Sequence, residues 1–144
     1  MTTVLAPILF EEIGSLHPDL PQIIAHSIGK ASKEKVLGVL TSYNVVDHHL
    51  IGGFIGSKLV SVIGVHVEDE RCIIKHIAVL EEHRNKGIGK QIIRYASEFF
   101  SLQFLIAETD DEARGFYEKC GFSCQSFQGV YGKRYKCNYQ RGQF

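Results

Sequence analysis

Nothing in this chain approaches the roughly 18 uninterrupted apolar residues of a membrane-spanning helix, so no membrane partner is expected. Net charge is missing too: 16 Lys and Arg balance 16 Asp and Glu. Without a global basic field there is no argument for a nucleic-acid partner. The cysteines Cys72, Cys120, Cys124 and Cys137 form no Cys-x-x-Cys pair, which argues against zinc. Four reduced, mostly buried thiols and no metal are the expectation. The first residues show no basic stretch running into a long apolar run. No secretory signal is read there, and a cytoplasmic location is expected. Repeats, low-complexity tracts and interdomain linkers are also missing.

What is present suits one domain over residues 1–144, with 44% hydrophobic and 22% charged residues. A chain of this length buries a core without staples. Its centre is the stretch 72–100. A β-branched run, CIIKHIAV, meets a polar loop, Arg84-Asn85-Lys86-Gly87-Ile88-Gly89, and then an amphipathic pattern, QIIRYASEFF. That order predicts a strand, a tight turn and a helix N-terminus. Gly87 and Gly89 let the backbone approach a ligand closely. The first N–H groups of a helix lack intrahelical acceptors, and its dipole favours an anion there. Arg84, Lys86 and Lys90 add positive side chains, so the loop suits a phosphate or pyrophosphate. A bare strand-to-helix turn also fits two glycines. The loop is not a Walker loop, because Gln91 follows Gly89-Lys90, and it lacks the third glycine of a dinucleotide fingerprint, because Ile92 stands there.

Around this centre, periodicity predicts a first strand at 4–10, with Pro7 suggesting an edge position. Helices are expected at 21–28 and 33–42, the second capped by Ser32. Strands at 48–55 and 58–67 are joined through Gly56-Ser57, and another strand covers 71–79. The central helix runs over about 87–100, with Ile88, Ile92, Ala96 and Phe99 as its apolar stripe and Ile93 and Phe100 beside it. A strand at 102–108 follows, parallel to 71–79 because a helix separates them. Thr109 and Glu112 have capping-box spacing for a helix ending near Cys120, with Gly121 closing it. Strands at 122–127 and 133–138 form a final hairpin, and 140–144 fray.

The stretch IAVLEEHRNKGIGKQII resembles the acetyl-CoA-binding motif of GNAT-superfamily N-acetyltransferases. Arg84-Asn85-Lys86-Gly87-Ile88-Gly89 matches that family's Arg/Gln-x-x-Gly-x-Gly/Ala, after the triplet Ile77-Ala78-Val79. Downstream, the segment from Ala113 to Phe122 resembles the family's Ala-x-x-apolar-Tyr-x-x-x-Gly-Phe motif. The resemblance runs from about residue 50 to the C-terminus. It implies an α/β GNAT fold: a single mixed, mostly antiparallel sheet of about six or seven strands with about four flanking helices. A splayed parallel pair is expected at the cofactor site.

The implied activity is acetyl transfer from acetyl-CoA, the co-substrate, to a primary amine of a small molecule or peptide. The chain would act as a monomer or homodimer. Cofactor contacts fall on Ile77, Ala78, Val79, Arg84, Asn85, Lys86, Gly87, Ile88, Gly89, Lys90 and Asp110. A backbone N–H near Ile77 or Val79, unpaired where the strands diverge, would polarise the thioester carbonyl. Asp110 stands where the family often has Asn, and a carboxylate cannot donate as an amide does. Tyr117 matches the family's tyrosine, implying a general acid toward the leaving thiolate. On helical spacing alone it reads as a core aromatic, and the match to the family motif favours the acid role instead.

No base is assigned. Alternation groups Ile73 and Lys75 with Ile77 and turns His76 the other way unless a bulge intervenes. His66, Glu68 and Glu70 are further possibilities. With no base evident, a non-catalytic acyl-CoA-binding sensor or interaction module is the alternative.

Overall fold

The computed structural model describes residues 7–141. The elements are β1 (Ile8–Ile13), α1 (Leu20–Ile24), α2 (Lys33–Ser42), β2 (His48–Ile55), β3 (Lys58–Glu68), β4 (Arg71–Val79), α3 (Ile88–Phe99), β5 (Phe104–Thr109), α4 (Asp111–Lys119), β6 (Ser123–Gly129) and β7 (Gly132–Gln140). Short 3-10 turns follow α1 at Ala25–Ser27 and β4 at Glu81–His83. The seven strands form one sheet in the order β1-β2-β3-β4-β5-β7-β6. Every neighbouring pair is antiparallel except β4–β5. The mixed, mostly antiparallel sheet with one parallel pair is therefore the observed architecture. Of the expected strand 4–10, residues 4–6 lie outside the described residues, as do 142–144 of the expected frayed end.

Two apolar layers flank the sheet. On one face, Ile92, Ile93 and Ala96 of α3 and Tyr117 of α4 pack against Ile51, Ile63, Val65, Cys72, Ile74, Leu105 and Ala107. On the other, Leu20, Ile23 and Ile24 of α1 and Leu40 of α2 pack against Leu50, Leu59, Val62 and Ala78. β3 is covered on both sides, which explains its run of buried residues from Leu59 to Val65. The short α1 begins with Leu20-Pro21, proline's fixed φ suiting a first turn. Ser32 caps α2, its hydroxyl accepting from the Lys35 N–H at 3.2 Å.

Local expectations are corrected at four places. Thr109 does not cap α4. It ends β5 opposite Tyr135, and Asp110 is the cap, its carboxylate accepting from the Ala113 N–H at 2.9 Å. The cap falls one residue later because Thr109 is still paired in β5, so the first turn of α4 begins at Asp111. Phe99 leaves the apolar stripe of α3. It is 49% exposed and stacks on Tyr95 at 5.7 Å between ring centroids, while Phe100, just past the helix end, packs against the core. β4 carries a bulge: Gly64 pairs with His76 and Val65 with Ile74, so Lys75 is skipped. Cys72, Ile74 and Ile77 thus share a face, not Ile73 and Lys75 with Ile77.

The fourth correction concerns the thiols. Cys124 and Cys137 face each other across the β6–β7 hairpin and form a disulfide, while Cys72 and Cys120 are free. Sequence spacing could not show it, since register alone brings the two opposite. The bridge closes a loop with a sequence separation of 13, for which a loss of about 3 kcal/mol on reduction is expected. Alkylation of the denatured, unreduced protein should label two cysteines. Labelling of all four would exclude the bridge.

Candidate functional site

The parallel pair is short. β4 and β5 are in register from Arg71–Phe104 to Ile74–Ala107 and no further. β4 continues to Val79 against β3, and β5 continues to Thr109 against β7. Beyond Ile74 and Ala107 the two strands therefore part. Backbone groups of 75–79 on the β5 side have no strand partner there, a costly arrangement unless water or a ligand satisfies them.

Both crossover helices start at this same end of the sheet. After Val79 the chain makes the 3-10 turn, then Arg84-Asn85-Lys86-Gly87 leads into α3. Asn85 and Gly87 both have positive φ, 63° and 80°. Such a pair of left-handed residues suits Asn and Gly and turns the chain sharply. The Arg84 Nε donates to the Val79 carbonyl at 2.9 Å, holding the loop to the strand it leaves. Gly87 is the N-cap of α3, and no side chain caps that helix. Its first N–H groups are thus available to an anion. Arg84, Lys86 and Lys90 are exposed, and none takes part in the five ion pairs among the described residues. Ile88 is buried beneath the loop.

The two glycines have different reasons. Gly87 stands in open space, so its conformation is what excludes a side chain. Gly89 has ordinary dihedrals, but a Cβ there would lie 2.6 Å from the Phe116 ring. The missing side chain at Gly89 therefore admits the Phe116 ring where α3 meets α4. That contact fixes the neighbouring Tyr117, which is 5% exposed. Its ring meets Phe116 and Phe122 edge-on, at 5.1 and 5.3 Å between centroids. Burial, with a smaller effect of Cys120, pushes the phenol well above its usual range, so it stays protonated at neutral pH.

The structure brings Ile77 and Tyr117 to the same apolar layer. The Ala78 side chain belongs to the opposite layer, so only its backbone faces the parting. Asp110 starts α4 at the end of β5, its carboxylate already engaged in capping. Between α3 and α4, a cavity of about 400 Å³ opens beside Lys90 and is lined by Arg94, Ser97, Lys119 and Cys120 among others.

A further pair was not legible in the sequence. The Tyr43 hydroxyl, at the end of α2, lies 2.5 Å from His76 Nδ1 on β4. His76 follows the bulge and points to the α1–α2 face. A Cβ at Gly64 would overlap the Tyr43 ring, so Gly64 makes room for this contact. Burial and then the Lys75 charge hold His76 below the ordinary histidine range. Burial also pushes Tyr43 well above its usual range. Of the other polar residues considered, His66 lies near Glu68 at 3.5 Å and stacks on His48 at 4.3 Å between centroids, at the far end of β3. Glu70 lies in the turn before β4. His66 is opposite Ile73 and Glu68 opposite Arg71, along the paired part of β4 rather than along 75–79. No group of three or more His, Cys, Asp or Glu suited to a metal is found among the described residues, nor a helix long and apolar enough to cross a membrane.

Residues 42–124 match the family model described as an acetyltransferase (GNAT) domain. Among solved structures, an aminoglycoside 6'-N-acetyltransferase complexed with coenzyme A superposes with a TM-score of 0.80 at 12% identity, over 92% of this chain and 96% of that one. A Bacillus subtilis acetyltransferase in complex with CoA gives 0.71 at 18% identity, over 93% and 99%. An acetyltransferase of the same family from Elizabethkingia anophelis, with acetyl-CoA bound, gives 0.69 at 17% identity, over 92% and 97%.

The two glycine roles separate in stability measurements. Gly89→Ala should cost about 1–3 kcal/mol by overpacking, and Phe116→Leu in the same chain should recover part of it. Gly87→Ala should cost roughly 1–2 kcal/mol through its left-handed backbone, with no rescue by Phe116→Leu. Denaturant titration of the four variants checks this, and an unperturbed Gly89→Ala protein would refute the packing role.

Proposed function

The chain belongs to the GNAT acetyltransferase family, and on that premise we propose that it transfers an acetyl group from acetyl-CoA to a primary amine by direct attack. The observation that carries this reading is the coincidence of three features at one end of the sheet. They are the parting of β4 and β5, the uncapped N-terminus of α3 and three cations beside it that form no ion pair among the described residues. The α3 N–H groups, with Arg84, Lys86 and Lys90, suit the pyrophosphate of coenzyme A. Unpaired backbone groups between His76 and Val79 suit the pantetheine arm and the thioester carbonyl, whose oxygen gains negative charge as the amine attacks. Asp110 would contribute through its place at the head of α4, since its carboxylate is engaged.

Proton transfers follow from two side chains. His76, neutral at pH 7, is suited to take the amine proton as the nitrogen–carbon bond forms. That role needs the tautomer that donates from Nδ1 to Tyr43, leaving the Nε2 lone pair free. Tyr117 is suited to give its proton to sulfur as the carbon–sulfur bond breaks. A phenol raised by burial does not ionise early, and a thiolate in an apolar site gains from protonation. The products are the amide and the free thiol of coenzyme A.

Tyr117→Phe keeps the ring and removes the hydroxyl. Single-turnover transfer should fall by roughly 10²–10⁴-fold with acetyl-CoA affinity little changed. A near-normal rate returns Tyr117 to a packing role. Gly87→Val should abolish acetyl-CoA binding in calorimetry while the protein stays folded. Tight binding without turnover on any amine would instead identify an acyl-CoA sensor.

The pH profile tests His76. The neutral imidazole is the working form, so activity rises with pH through the His76 pKa. That pKa is lowered, so the midpoint of the rise should lie below the ordinary histidine value of about 6.5. His76→Gln should remove this acid limb and slow single-turnover transfer at pH 7.5. A limb that persists in His76→Gln would assign it to another group.

A further inference from the structure

Along β5, Leu105, Ala107 and Thr109 are buried on the α4 side. Alternation turns Glu108 to the opposite face, where it is exposed. It lies one residue past the last β4–β5 pair, Ile74–Ala107. His76, just past the bulge on β4, points to that same face. On β7, Tyr135 and Cys137 are buried toward α4, so Lys136 shares the face of Glu108 and is its direct cross-strand partner. Gln125 of β6 is opposite Lys136, and Arg134 stands two residues along β7 on the same face. His76, Glu108, Lys136 and Gln125 thus form one row across four strands, beginning at the parting. α1 and α2 end their cover at β4, and Glu108, Lys136, Arg134 and Gln125 are all exposed.

The plain reading of Glu108 opposite Lys136 is a cross-strand ion pair on a solvated surface. The ion pairs of the described residues do not include it. The two charges are instead presented side by side, next to the place where the thioester would lie.

We propose that this row is the acceptor subsite, and that the acceptor is a small zwitterion of the α-amino-acid class. This rests on the acetyl-transfer reading. Glu108 holds the ammonium beside the parting, and Lys136 with Arg134 holds the carboxylate one strand further on. Adjacent strands are about 4.8 Å apart, a span that an ammonium and a carboxylate on one carbon bridge with a charge-assisted hydrogen bond at each end. Two cations against one carboxylate disfavour a polycationic acceptor. In the reaction, the ammonium first loses one proton to solvent. The amine nitrogen then bonds to the acetyl carbon, the carbon–sulfur bond breaks, its second proton goes to His76, and sulfur takes one from Tyr117.

The test uses the full chain and follows release of the coenzyme A thiol. The probes are the twenty protein amino acids, the decarboxylated counterparts of lysine, phenylalanine and alanine, and spermidine. At least one of these three amino acids should be used more efficiently than its decarboxylated counterpart, by roughly 10- to 100-fold in kcat/KM, the worth of one charge-assisted hydrogen bond. Lys136→Met should reduce that ratio by a similar factor, Lys136→Arg should restore most of it, and acetyl-CoA affinity should not change in either. Glu108→Gln should raise the amino-acid KM more than it lowers kcat. A protein that binds acetyl-CoA but acetylates none of these amino acids, or prefers spermidine or the decarboxylated amines, overturns the proposal. So does a ratio unmoved by Lys136→Met in a variant whose thermal melt matches wild type. Failure to bind acetyl-CoA at all would instead remove the acetyl-transfer reading, and this proposal with it.

Discussion

The parting of β4 from β5 is the constraint on which the rest of the site depends. A parallel pair needs a crossover helix on one side of the sheet, and here both strands of the pair are followed by such helices. When the pair ends early, at Ile74 and Ala107, backbone groups lose their neighbour at the level where α3 and α4 begin. Polar backbone, helix N–H groups and loop cations thus collect at one end of the sheet. Ordinary Ile, Ala and Val suffice at 77–79 because the polar groups that matter there belong to the main chain.

Two local devices maintain this geometry. The bulge at Lys75 changes which β4 side chains face which layer. It leaves Ile77 in the layer of α3 and α4 and His76 against Tyr43. The close approach of Gly89 to Phe116 holds α3 and α4 together at the mouth of the parting. A half-buried aromatic packed on a glycine sets the depth of Tyr117 more firmly than a polar contact between flexible side chains would. The α1–α2 layer has the matching device on the opposite face, where the absence of a side chain at Gly64 admits the Tyr43 ring.

The sheet is covered unevenly. α1 and α2 protect one face as far as β4, and α4 covers the other face of β6 and β7. The uncovered part, β5-β7-β6 on the α1–α2 side, begins at the parting. Its exposed charges are therefore beside the reactive centre for a topological reason, since strand order β4-β5-β7-β6 places the last hairpin next to the crossover pair. The Cys124–Cys137 bridge ties that hairpin together from its buried face.

By itself, the sequence determined the elements whose signal is local. The period-two and helical patterns placed β4 at 71–79 and α2 at 33–42 as observed, and Ser32 was read correctly as a cap. The Gly87 turn and its basic neighbours were legible because a left-handed N-cap and an anion-ready helix end depend on adjacent residues. Leu105, Ala107 and Thr109 alternating with Glu108 carried a legible signal that Glu108 faces away from α4, though not what stands opposite it. Only the tertiary structure decided relations between residues far apart in the chain. The bulge at Lys75 arises from register with β3, and nothing in CIIKHIAV marks it. The Tyr43–His76 contact spans α2 and β4, and the Cys124–Cys137 bridge depends on hairpin register. The seating of Phe116 on Gly89 was likewise decided by the approach of two helices, which leaves the same mark in sequence as close approach of a ligand.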